Sequence, residues 1–136
     1  MLDLIKRNLL KYTLIIDGIV CIAAGTAFLT VSALVAELVG PAFTAEVVIG
    51  LGAFLLLWGL FHLGMGGQAE APAMGVKVAI VGDAIWVAGS AAILFVDWQA
   101  LTTIGAAFIA VMTVAVADIM LLKMIGLGRR GRMVGA

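Results

Sequence analysis

The sequence predicts an all-α membrane fold: a polytopic four-helix bundle, built as two antiparallel hairpins in one domain over residues 1–136, with both termini cytoplasmic. Three observations predict it. Hydrophobic residues fill 65% of the chain and charged residues only 12%, with a mean hydropathy of +1.26, which leaves too little charge to coat a water-soluble domain. The apolar residues gather into four stretches close to the ~20 residues that a helix needs to cross hydrocarbon. With four crossings, all 8 Lys and Arg residues fall on one side.

The first span is expected over about 12–36. It is too long for a signal-peptide core and carries Asp17, so it reads as a retained helix. Pro41, between Glu37 and Glu46, marks a loop or interfacial turn before the second span, about 47–63. The stretch from Gly64 to Gly75, rich in glycine and holding Pro72, is the most flexible connection by composition. The third span follows at about 76–96 and the fourth at about 101–124. Only Asp97, Trp98, Gln99 and Ala100 separate them, so these two helices form a tight hairpin.

Charge sets the orientation. Lys6, Arg7 and Lys11 precede the first span, Lys77 lies in the second connection, and Lys123, Arg129, Arg130 and Arg132 follow the fourth. These are expected as membrane-surface groups. The opposite side holds Glu37, Glu46 and Asp97 without a basic residue. The positive-inside rule then puts both ends in the cytoplasm, as a multi-pass protein of a bacterial inner (cytoplasmic) membrane. Trp98 suits the outer interface. The Gly/Arg tail is expected to grip anionic headgroups of membrane lipids, and nothing calls for nucleic acid. A weak internal repeat places Lys11, Asp17 and Ile19 over Lys77, Asp83 and Ile85, as in a duplicated hairpin.

Three aspartates lie within the expected spans. Asp17 and Asp83 each follow a lysine by six residues, and Asp118 precedes Lys123 by five. At the helical rise all three sit roughly 8–9 Å inside the cytoplasmic boundary, in one layer with His62. A charge in hydrocarbon costs about 3 kcal/mol or more, so these side chains should face the bundle interior. Asp17, Asp83 and Asp118 are therefore candidates for a proton or cation site. The competing structural reading has each acid neutralised, snorkelling, or met by Lys11, Lys77 or Lys123. A divalent metal on the carboxylates and His62 is the least favoured option, and no resident metal or cofactor is expected. His62 is a possible ligand for a pigment, with Trp58 and Phe61 nearby. Haem held by two histidines is excluded, because the chain has one.

Several activities drop out. A single cysteine, Cys21, excludes an intramolecular disulfide and dithiol chemistry, which disfavours a quinone-linked disulfide-forming enzyme. The glycine clusters lack the context of a phosphate loop. The only His and the only Cys are expected at different depths, so no nucleophile–base pair arises and the chain reads as non-enzymatic. Ala23 and Ala27, Ala88 and Ala92, and Ala106 and Ala110 are each four apart, the spacing of closely packed membrane helices.

Leu10 to Gly18 and Val81 to Ser90, together with Leu51 to Leu56, resemble a group of small four-helix membrane proteins of bacteria without an assigned function. The resemblance implies Asp17, Asp83 and Trp86 as shared features. Small multidrug-resistance transporters are similar in size and in their first-helix acid, but they run shorter and have weakly biased loop charge. Two functions remain. The favoured one is a non-catalytic accessory or structural subunit, joined to other membrane subunits or to itself. The alternative is a small proton- or cation-coupled transporter or channel that uses the intramembrane aspartates.

Overall fold

The computed structural model describes residues 8–134, the side chains of 133 and 134 excepted. Among these residues five helices are formed: α1 (Leu9–Thr30), α2 (Ser32–Val39), α3 (Ala45–Gly66), α4 (Ala73–Val96) and α5 (Thr103–Val134), with a 3-10 turn at Trp98–Ala100. Four of them, α1, α3, α4 and α5, are long and apolar enough to cross a membrane, which marks the chain as a multi-pass membrane protein.

Each helix boundary that departs from the sequence reading has a local cause. The first helix breaks at Val31 (φ −127°, ψ 39°) and resumes as α2. The hydroxyls of Thr26 and Thr30 donate to the carbonyls of Ile22 and Thr26 (2.8 and 2.9 Å), a back-bonding that bends helices. Helix α3 begins earlier than expected because Thr44 caps it, its Oγ1 accepting from the Val47 amide at 3.3 Å. Glu46 in the first turn complements the positive end of the helix dipole. At its other end α3 runs through Gly64 to Gly66. There a Cβ on Gly66 would lie 2.7 Å from the Ile15 side chain of α1. Close packing on a neighbour thus keeps helical a segment whose composition reads as loop.

Packing centres on α1 and α3. A Cβ on Gly18 would sit 2.9 Å from the Gly59 carbonyl oxygen, and one on Gly59 would sit 2.8 Å from that of Gly18. Gly25 and Gly52 are matched in the same way, at 2.8 and 3.0 Å. The pairs run in opposite order along the two helices, seven residues apart on each. Only hydrogen side chains permit this approach. By contrast, Ala23, Ala27, Ala88, Ala92 and Ala110 are exposed and Ala106 is half-buried, so the close contacts fall on glycines and not on the alanine pairs.

Helices α4 and α5 pack on each other, and α5 also touches α1, whereas α3 meets α4 sparingly. Both ends are tied. At one end, Gly40 (φ +126°) lies against residues 100–102, where a side chain would strike backbone. The Thr102 amide donates to the Val39 carbonyl at 2.9 Å, and the Thr102 hydroxyl donates to the Leu38 carbonyl. At the other end, Arg130 pairs with Glu70 at 2.5 Å and donates to the Ala71 carbonyl. A Cβ on Gly126 would lie 2.9 Å from the Leu10 side chain. These contacts explain why α5 continues past residue 124 through the Gly/Arg tail.

Candidate functional site

Helical periodicity brings one titratable residue from each long helix to a common point. On α1 the buried residues Leu10, Thr13, Leu14, Asp17 and Cys21 recur at intervals of three and four. On α3 the buried stripe is Val48, Gly52, Leu55, Gly59 and His62. On α4 it is Val76, Ala79 and Asp83. On α5, Lys123 and Gly126 are buried. A residue three or four positions along a helix stays on the same face, so each polar group shares the stripe that packs its helix.

Lys123 is at the centre and is 0% exposed. Its Nζ lies 2.5 Å from Asp17 Oδ2, 2.6 Å from Asp83 Oδ2 and 2.8 Å from His62 Nε2. An ammonium has three N–H donors, and each finds one acceptor from a different helix. The surrounding groups are held in turn. His62 Nδ1 lies 2.8 Å from the Trp58 carbonyl oxygen, which only accepts. The ring proton therefore resides on Nδ1, and the Nε2 lone pair points at Lys123. Cys21 Sγ donates to the second oxygen of Asp17 at 3.5 Å. The Trp58 ring meets His62 edge-on at 5.1 Å and covers Gly82 of α4. Among the described residues, every buried side-chain nitrogen and oxygen has a partner.

Two carboxylates face one ammonium, and a histidine protonated only on Nδ1 adds nothing, so with both acids ionised the cluster would carry a formal charge of minus one. An unmatched charge in a buried, apolar setting is costly. Cation binding is the chemistry that such an excess favours.

Asp17, Asp83 and His62 thus meet at one point. Asp118 does not join them: it is exposed on α5. Five residues turn a helix by about 500°, which leaves Asp118 about 140° round from Lys123. Lys123 itself requires correction. Expected at the membrane surface, it is fully buried, because α5 extends beyond it and Arg129, Arg130 and Arg132 come later. Its neighbours Leu121, Leu122, Met124 and Ile125 carry the signal, since a lysine inside an apolar run at the depth of two acids is placed to pair with them. Lys77, Arg129 and Arg132 are exposed, and Lys11 and Arg130 are half-buried. Lys6 and Arg7 lie outside the described residues. The aromatic against the cluster is Trp58, while Trp86 is half-buried on α4.

Comparison with known protein families, with characterised proteins and with solved structures finds no match to this chain.

Proposed function

We propose that this protein is a small cation-handling transporter or channel of a bacterial inner membrane, built as two antiparallel hairpins with both termini cytoplasmic, and not an enzyme. The reading is supported above all by the placement of Asp17, Asp83, His62 and Lys123 around one buried point. Intramembrane ionisable groups are retained where ions are handled, because each otherwise destabilises the span that carries it. Asp17 and Asp83 are the cation-binding carboxylates, His62 is an uncharged donor, and Lys123 is the resident counterion. The gathering of the basic groups at one end, with Glu37, Glu46 and Asp97 and no basic residue at the other, supports the orientation.

The experiment is flux in proteoliposomes, with a pH-sensitive dye for protons and metal-sensitive dyes for divalent ions. Asp17→Asn and Asp83→Asn should each abolish the flux carried by the parent chain. No flux in the parent, or flux unchanged in both variants, would overturn the reading.

A second reading, an accessory or self-associating subunit, is favoured by Asp118. That carboxylate lies exposed within the span of α5, with no salt-bridge partner among the described residues. Lipid contact there costs about 3 kcal/mol, which a donor on a covering helix would offset. Helices α4 and α5 also bury far less of their apolar length than α1 and α3 do. Gentle detergent extraction distinguishes the two: a larger assembly supports this second reading, and a stable monomer removes it.

A further inference from the structure

We infer that Asp17, His62 and Asp83 form a binding site for a first-row divalent transition-metal ion, held in the resting protein by the tethered ammonium of Lys123. The inference rests on the cation-handling reading and names the cation.

The donor set carries the assignment. Asp17, His62 and Asp83 each offer a ligand atom, and these atoms all lie within 4.8 Å of one another, all three residues being buried. Each comes from a different helix, α1, α3 or α4. The same acceptors surround the Lys123 nitrogen at 2.5–2.8 Å, so they already enclose the position of a cation.

Two further observations fit a metal site. His62 Nε2 and Asp17 Oδ2 are 3.1 Å apart. With the ring proton on Nδ1, both atoms bear lone pairs, and the Lys123 ammonium that both contact holds them together, as a metal ion in its place would. Ligands at about 2.1 Å from a metal stand about 3.0 Å apart at a right angle and about 3.4 Å apart at the tetrahedral angle, a range that includes the observed separation. The outer contacts are also those of a metal site. Metal-ligating histidines donate their other ring N–H to a carbonyl or carboxylate, which fixes tautomer and orientation, and here that partner is the Trp58 carbonyl. Cys21 steadies the far oxygen of Asp17 in the same manner.

The chemistry selects the ion. Two carboxylates neutralise a divalent charge, and an imidazole nitrogen favours manganese, iron, cobalt or zinc over magnesium or calcium, which prefer oxygen alone. Lys123 is suited to be displaced, being a compact charge on a flexible four-carbon stem. An arginine would form a rigid, bidentate pair instead.

Cobalt(II) is the probe, added to the metal-stripped full chain, purified in detergent without a polyhistidine tag. The parent should bind one equivalent and develop the visible absorption of Co(II) bound by nitrogen and oxygen. Lys123→Met, which keeps the length but removes the competing ammonium, should bind at least tenfold more tightly. His62→Gln and Asp17→Asn should each weaken binding at least tenfold while keeping the parent's circular dichroism and elution volume.

Absence of binding to the parent at millimolar Co(II) would overturn the proposal, even if Lys123→Met bound tightly, since the lysine would then be a permanent counterion. Binding that survives both His62→Gln and Asp17→Asn would overturn it as well. If Lys123→Met does not fold, the parent and these two variants decide the matter. Proton or alkali-ion flux from a chain that binds no Co(II) would remove the metal while leaving cation handling in place.

Discussion

Lys123 is the residue on which the interior depends. Removing it leaves two carboxylates facing each other in an apolar setting, and losing one partner of a buried ion pair costs about 3–5 kcal/mol. Lys123→Ala should therefore lower stability by that order in reversible unfolding from detergent. Asp118→Asn, at an exposed position outside the cluster with no ion pair to lose among the described residues, should not lower it in the monomer. A comparable loss at both positions would contradict the assignment of Asp118 to the outer surface. That Asp17, Asp83 and His62 share a depth was legible in the sequence, because depth can be counted along a helix; that Asp118 faces outward was not, because depth alone does not give the side of the helix. Lys123 was legible only as one of three lysines that could reach an aspartate from the surface, because charge counting alone groups it with the arginines that follow. Distinguishing a lysine at a span's end from one inside it requires the length of α5, which packing of Gly126 on Leu10 and the Arg130–Glu70 pair extend.

At the scale of elements, glycine decides how α1 meets α3. Gly59→Ala would drive a methyl group to 2.8 Å from the Gly18 carbonyl oxygen and 2.7 Å from the Ile22 side chain. It should destabilise by about 1–3 kcal/mol, the usual range for overpacking. A methyl group on Gly50 or Gly64 would meet nothing within 4 Å, so alanine there should be neutral or stabilise by up to about 1 kcal/mol through helix propensity. Opposite signs in a thermal-unfolding series are the expected outcome, and equal effects at all three positions would argue against the glycine seam. The four spans were readable from hydrophobic length alone. The seam was not, because a four-residue spacing of alanines is the more visible pattern, while the contacts repeat every seven residues, at Gly18 and Gly25 on one helix and Gly52 and Gly59 on the other. Helix ends were also hidden where tertiary contacts override local composition: Gly66 stays helical against Ile15. Arg130→Ala should free the α5 extension, which hydrogen exchange would register as faster exchange beyond Gly126, with amides in the α1–α3 seam unaffected.

At the scale of the whole molecule, the polar cluster is the place where α1, α3, α4 and α5 all contribute to one set of contacts. Helices α1 and α3 are locked by glycine, α4 and α5 pack on each other, and α3 meets α4 only sparingly. The cluster therefore fixes how one pair sits against the other. Tags at the two ends should report the same compartment, as the distribution of basic residues requires; opposite compartments would mean an odd number of crossings. The most direct test of the shared buried site is a double-mutant cycle between α4 and α5, using Asp83→Asn, Lys123→Met and the pair, with unfolding free energy in detergent as the readout. Direct contact at 2.6 Å should give a coupling of about 1–3 kcal/mol, with the double variant losing clearly less than the sum of the singles. Additive losses, with coupling within about 0.3 kcal/mol of zero, would mean that Asp83 and Lys123 do not meet, and the buried site would not exist.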